Sequence, residues 1–195
     1  MLWGTDGIHT TGWLSAIESF ISGATGSKYI LGFNEPDNTG QANLSPQDAA
    51  NQYLQYITKY SGNAKLVSPA VTSSTQQGQG LSWFQDFMGY CSTCEISALA
   101  VHWYGDSIEE LKTFVEQAVS AAADHNLSEV WLTEFALNAD TNGVQDQGVT
   151  TNFVQQAIAF LDSHPTVTRY SYFKAAQGFT VSGSSLNSVG AAYVS

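Results

Sequence analysis

At 195 residues, with a formal charge of -11 and only 6 Lys and Arg, the chain suits one domain with a real core and is ill matched to nucleic-acid phosphates. Hydrophobic residues make up 43% and charged residues 12%, which excludes a disordered segment and a coiled coil and leaves a polar surface of Ser, Thr, Asn, Gln and Gly. No apolar run approaches a membrane span, and no helical stretch carries a basic face.

In chain order, Met1-Leu2-Trp3 reads as the end of a strand. The chain opens directly on Met1-Leu2-Trp3-Gly4 with no signal peptide, so processing or truncation is expected to have removed what preceded it. Trp13, Leu14, Ile17, Phe20 and Ile21 then recur at helical spacing. Next comes Tyr29-Ile30-Leu31-Gly32-Phe33, an apolar run that stops in Asn34-Glu35-Pro36-Asp37. Pro36 cannot donate to a ladder and pushes Glu35 towards an extended conformation, so the strand ends there with an acid at its carboxyl end. A surface turn, with Asp37 and Asn38 bonding their own backbone, is the plainer alternative.

Ser45-Pro46-Gln47-Asp48 starts a helix whose buried stripe is Ala49, Ala50, Tyr53, Leu54 and Ile57. Lys65 to Val71 is a strand stopped by Pro69, and the polar loop Ser73 to Gly80 is long enough to be functional. A short helix around Trp83, Phe84, Phe87 and Met88 leads to Cys91-Ser92-Thr93-Cys94. A redox C-x-x-C opens a helix after a strand, whereas this one follows a helix and precedes a strand. Zinc needs further ligands, and His9, His102, His125 and His164 show no metal-ligand spacing. A small structural disulfide between Cys91 and Cys94 is the favoured reading, hence an oxidising compartment. The sequons Asn43-Leu44-Ser45 and Asn126-Leu127-Ser128 point weakly the same way.

Ile96 to Tyr104 is a strand that turns polar and aromatic at His102-Trp103-Tyr104. His102 and Tyr104 share a face, since alternate side chains point the same way. A capping box at Ser107-Ile108-Glu109-Glu110 opens a long helix through about Ala123. Glu129 to Ala136 repeats the earlier design, an apolar strand finishing on Glu134. A polar loop from Asn138 to Gly148 leads to a helix that ends before Pro165. Thr168 to Phe173 is the last strand, and Ser185 to Val194 a last short helix.

Six strand–helix units in alternation imply parallel strands with crossover helices, an α/β fold. Neither a Gly-rich phosphate loop nor G-x-S-x-G is present, which removes nucleotide-binding and serine-hydrolase readings. A (β/α)8 barrel remains, with Glu35 and Glu134 as paired carboxylates at strand ends.

Gly32 to Asp37, Leu66 to Val71, Val101 to Tyr104, Trp131 to Phe135 and Arg169 to Phe173 resemble, in this order, glycoside hydrolase family 128, a clan A barrel family acting on β-1,3-glucans. The resemblance runs over the whole chain, residues 1–195, as a single catalytic domain. It implies an Asn-Glu pair, Asn34-Glu35, at the end of barrel strand 4 and Glu134 at the end of strand 7. Met1-Leu2-Trp3-Gly4 then resembles the end of strand 3, so strands 1 and 2 with their helices are absent. What is implied is a TIM barrel lacking its first two βα units, secreted or cell-wall located. Its remaining edge strands, Met1–Trp3 and Thr168–Phe173, would leave apolar interior positions facing water or a second copy.

Such an enzyme hydrolyses β-1,3-glucan by retention, without metal or organic cofactor. Glu35 is expected to be the acid/base, with its pKa raised by burial or a negative neighbour, and Glu134 the nucleophile. Asn34 suits the sugar 2-hydroxyl, and the resemblance has Tyr104 donating to Glu134. His102 is a candidate substrate contact, with a hydrogen-bonded structural histidine as the alternative. Trp3, Trp103, Phe135, Tyr172 and Phe173 lie near strand ends, where flat rings suit glucose faces but equally fill cores. Asp37 and Asp106 are read as turn and loop residues. The competing readings are a non-catalytic glucan-binding protein and a clan A glycosidase acting on another β-glycan.

Overall fold

The computed structural model describes residues 1–23 and 25–195. Five parallel strands form one curled sheet in sequential order: β1 (Tyr29–Leu31), β2 (Lys65–Val67), β3 (Ile96–Gly105), β4 (Val130–Leu137) and β5 (Val167–Tyr172). The helices are α1 (Gly7–Thr10), α2 (Trp13–Gly23), α3 (Pro46–Tyr56), α4 (Gly80–Tyr90), α5 (Ile108–Asp124), α6 (Gln147–Ser163) and α7 (Ser188–Tyr193). A small antiparallel pair, β6 (Val181–Ser182) and β7 (Ser185–Leu186), precedes α7.

Local chemistry accounts for most boundaries. Ser45 accepts from the Asp48 amide at the start of α3, with Pro46 at the first position, and Ser107 does the same for Glu110 in α5. The last segment differs from the helix expected over Ser185–Val194. Gly183, with φ 62°, turns the chain so that Ser185-Leu186 pairs back on Val181-Ser182, and Asn187 caps a helix that starts only at Ser188.

The strand count also differs from six. Met1-Leu2-Trp3 joins the sheet by single bonds, Leu2 N–H to Leu31 O at 3.1 Å and Asn34 N–H to Trp3 O at 2.9 Å, and forms no ladder. The sheet edge therefore continues as an extended segment rather than a sixth strand.

The main core lies between the convex face and the helices, where Phe33, Leu66, Leu99, Val101, Leu132 and Phe135 meet Tyr53, Phe84, Leu111, Val115, Phe153 and Leu161. The concave face holds a smaller cluster of Val67, Ala70, Ala98, Ala100 and Trp131. Here the expectation of apolar residues left facing water is not met. All five are buried, and the Arg169 guanidinium lies 4.5 Å from the Tyr29 ring and 4.8 Å from the Trp131 ring beside them. Four of the exposed large apolar side chains stand at the N-terminal flank, where Met1, Ile8, Leu14 and Phe20 are 54%, 86%, 44% and 42% accessible.

Gly32 marks the tightest approach of two strand ends. A Cβ there would lie 2.7 Å from the Pro69 nitrogen, so only glycine lets the β1 end pass the β2 end. Cys91 and Cys94 form the disulfide read from the sequence, joining the end of α4 to the approach of β3.

Candidate active site

The carboxyl ends of β1, β3 and β4 meet in a groove of about 500 Å³. Glu35 stands just past β1, tied by its N–H to Ala70 O at 2.8 Å. Its φ is 41°, in the left-handed region, and not the extended conformation expected before Pro36. Such a conformation costs a non-glycine residue on the order of 1–3 kcal/mol and persists only where surrounding bonds impose it. They do so here: His102 Nδ1 lies 2.9 Å from Glu35 Oε1, and the Asn38 side-chain amide donates to Oε2 at 2.9 Å.

Glu134 reaches the same groove through an irregularity. Val101 pairs with Leu132, but His102 pairs with Glu134, so Thr133 is an extra residue in the β3–β4 ladder. Regular alternation from Trp131, on the concave face, would put Thr133 on that face and Glu134 on the other. The bulge turns Glu134 inward and Phe135 outward. The Thr133 hydroxyl bonds Val101 O at 3.4 Å across the same irregularity.

The two glutamates and His102 offer oxygen and nitrogen atoms that all lie within 4.8 Å of one another. His102 Nδ1 is also 3.4 Å from Glu134 Oε2, so this nitrogen, facing two carboxylates, carries a hydrogen. The three atoms could also hold a divalent ion. Tyr104 donates its hydroxyl to Glu134 Oε2 at 2.6 Å. Burial first, then that bond and the charges of Glu134 and Glu35, push the Tyr104 phenol far above its usual pKa, so it stays a donor. For Glu35, burial is the largest influence and acts upward. The hydrogen bond and charge of His102, with the Asn38 amide, outweigh it and hold the carboxyl below its ordinary value. This reverses the raised pKa expected from the sequence: the negative neighbour is present, but a histidine stands between.

Over residues 1–193 the sequence matches the family described as Glycosyl hydrolase catalytic core. The chain belongs to that family. Within it the chain is a member of glycoside hydrolase family 128. It is 38% identical to a subgroup III curdlan-specific exo-β-1,3-glucanase of Blastomyces gilchristii, crystallised with glucose, covering 99% of this chain and 79% of that one with a TM-score of 0.86. It is 25% identical to a subgroup VII oligosaccharide-binding protein of Cryptococcus neoformans, over 100% of this chain and 77% of that one, with a TM-score of 0.74. Among curated proteins it is 34% identical over 164 residues to alkali-sensitive linkage protein 1 of Schizosaccharomyces pombe. That match covers 82% of this chain and 29% of the yeast protein, so the chain spans under a third of that relative.

In this family 128 chain the other candidates separate into two sets. Trp3, Asn34 and Tyr104 line the groove with the two glutamates, and so does Phe173. Trp3 stacks on His9 with centroids 4.6 Å apart, and Asp6 holds the His9 ring at 2.9 Å. The Asn34 amide donates to Gln41 at 3.2 Å. Trp103, Phe135 and Tyr172 lie instead in the core, 2%, 0% and 4% exposed. Trp103 and Phe135 project to the helix face and pack on Phe153, which removes them from the groove wall. Tyr172 packs edge-on to Phe135. His102, 2% exposed, touches the carboxylates and not the open groove.

Sequence reasoning missed Asn38 as a partner of Glu35, and Gln41, Thr72, Ser73 and Thr141 as groove residues. All are uncharged polar residues outside the strands, and of these only Ser73 stands in a loop whose length is itself a signal. Asp37 does more than form a turn: it accepts the backbone N–H groups of Thr72 and Gly80, at 3.2 and 2.8 Å, and the Thr72 hydroxyl. It thereby fastens the Ser73–Gly80 loop to the end of β1.

Proposed function

We propose that this chain is the catalytic core of a secreted β-1,3-glucan hydrolase that works by double displacement with retention. Glu134 is the nucleophile and Glu35 the acid/base. The observation that carries this reading is the approach of the two carboxylates within 4.8 Å at one groove. That leaves no room for the water an inverting enzyme holds between carboxylates roughly 6.5–9.5 Å apart.

In the first step Glu134 attacks the anomeric carbon while Glu35 gives its proton to the leaving oxygen. The Tyr104 bond keeps the attacking carboxylate oriented and charged. A sugar that fills the groove expels water from Glu35 and strengthens the burial that raises its pKa. Once Glu134 is esterified its charge is gone, and His102 and Asn38 favour Glu35 as the base that deprotonates water. Asn34 faces the sugar 2-hydroxyl, and Trp3 and Phe173 offer flat faces to pyranose rings.

The same reading extends to the fold. Two further βα units, between the free edge beside Met1–Trp3 and the free edge of β5, would complete a (β/α)8 barrel and the groove wall. The exposed Ile8, Leu14 and Phe20 supply an apolar flank for them.

The test is the anomer first released from laminarin-type glucan, read by proton NMR. Retention gives the β-anomer first; the α-anomer first would overturn the mechanism. A second reading, a glucan-binding protein without turnover, is favoured by the family's oligosaccharide-binding member. Glucan binding with no release of reducing ends would support it instead.

His102 is a positioning residue in this scheme. His102→Asn removes the ring contact that lowers the Glu35 pKa. The alkaline limb of kcat/KM, set by loss of the acid's proton, is therefore expected to move to higher pH. kcat should fall, by up to about 10²-fold if the carboxyl shifts by an ångström. An unmoved or lowered alkaline limb would contradict the account.

A further inference from the structure

We infer that Asn126 is an N-glycosylation site and that Asn43, although also in a sequon, is not. The inference rests on the proposed secreted location and on the geometry of the two Asn-x-Ser segments.

Asn126 follows α5 in the turn leading to β4 and is exposed, with φ 59°. That left-handed turn is a favoured position for asparagine after a helix, which explains the backbone but not the side chain. Its backbone is fixed by N–H bonds from Asn126 to Ala123 O and from Leu127 to Ala122 O, at 3.0 and 2.9 Å. Leu127 is buried and anchors the turn, while Asn126 and Ser128 point out, and neither side chain bonds another described residue. The acceptor amide and the sequon hydroxyl are thus both available. This turn lies at the amino ends of the strands, opposite the groove, so a glycan here stands clear of the glucan path.

Asn43 is likewise exposed and left-handed, with φ 46°, and the Asn43-Leu44-Ser45 segment differs at its serine and its surroundings. Ser45 donates to Asp48 Oδ2 at 2.7 Å and accepts the Asp48 amide at 3.1 Å, so its hydroxyl is committed to capping α3. Pro46 follows directly and restricts Ser45 to extended conformations, in the unfolded chain as well as the folded one. The segment also borders the groove: Gln41 lines it, and Ala42 N–H bonds Asn34 O at 3.2 Å. A glycan on Asn43 would crowd the site.

The donor is a lipid diphosphate-linked oligosaccharide. The Asn126 amide nitrogen attacks its anomeric carbon; a C–N bond forms, the C–O bond to diphosphate breaks, the amide loses one proton and the lipid diphosphate leaves. Nothing is oxidised or reduced. The Cys91–Cys94 disulfide is an independent feature suited to the same oxidising compartment.

The experiment is expression of the chain behind a secretion signal in a eukaryotic host, with peptide mapping before and after peptide-N-glycosidase. The expected result is full-length protein carrying one glycan, on the Asn126 peptide, with Asn43 bare. Asn126→Gln and Ser128→Ala should each abolish the gel shift, and Asn43→Gln should leave it. If the chain is retained in the cell, the same map of the endoplasmic-reticulum fraction decides. A bare Asn126, or a glycan on Asn43 alone, overturns the inference. Glucan hydrolysis is measured on the same samples: activity without a glycan refutes only the glycan, and a glycan without activity refutes only the enzyme.

Discussion

Glu134→Gln is expected to remove hydrolysis of β-1,3-glucan and of aryl glycosides alike, by roughly 10⁴–10⁶-fold, because without the carboxylate no glycosyl-enzyme forms. Glu35→Ala should cost roughly 10²–10⁴-fold on glucan, whose leaving alcohol needs a proton. It should cost far less in the first step on an activated aryl glycoside, whose leaving group departs as a stable anion. The geometry supports assigning the roles this way round. Glu134 carries the Tyr104 hydroxyl at 2.6 Å, which suits a group that must stay ionised to attack. Glu35 is more buried and is held by two nitrogen donors, His102 and Asn38. Rates on both substrate types with each variant are the measurement. Equal losses on the aryl substrate, or the reverse pattern, would sink the assignment.

A chain extended to provide the two closing βα units should melt higher and hydrolyse glucan faster than residues 1–195. Met1, Ile8, Leu14 and Phe20 are four large apolar side chains at the N-terminal flank, each at least 42% accessible. Covering them should yield about 1 kcal/mol each at ~25 cal/mol per Å² of apolar area. That sum of about 4 kcal/mol corresponds to roughly 10 °C in Tm for a domain of this size. The concave face contributes less, because Val67, Ala70, Ala98, Ala100 and Trp131 are already buried there. Activity should rise more than stability, since in the proposed barrel the closing units would extend the groove wall beside Trp3. Differential scanning calorimetry and glucan hydrolysis on both chains make the comparison. Equal melting and equal turnover for the two would show that the 195-residue chain needs no closing units; dimerisation of the short chain, read by light scattering, would show its open edges meeting a second copy instead.

Much of this was legible in order along the chain. The strands stand where their apolar runs begin, although β1 and β2 end at Leu31 and Val67, ahead of Pro36 and Pro69, and single bridges resume at Ala70 and Val71. Ser45 and Ser107 start helices because their hydroxyls accept first-turn amides. The pairing of an acid with a strand end, twice, pointed to Glu35 and Glu134 before any contact was known. The C-x-x-C segment was read as a disulfide from its position between a helix and a strand, and it is one. These are local signals, carried by residues a few positions apart.

The face on which a residue lies near a bulge is not local. Nothing in Trp131-Leu132-Thr133-Glu134-Phe135 announces that Thr133 is the extra residue; that depends on register with β3, whose partners lie about thirty positions earlier. The bulge decides that Glu134 faces the groove and that Phe135 does not. The Glu35 backbone and charge state are likewise tertiary. Local sterics before Pro36 favour an extended residue, and bonds to Ala70, His102 and Asn38 together hold it left-handed. Burial and a neighbouring carboxylate would raise its pKa, and only the structure interposes His102 to lower it. The sequence by itself marked two acids, Glu35 and Glu134, at the ends of apolar strands, and both stand in one groove. Where they point and how they are charged was left to contacts between distant segments, because such contacts outweigh the weak local preferences of a single residue.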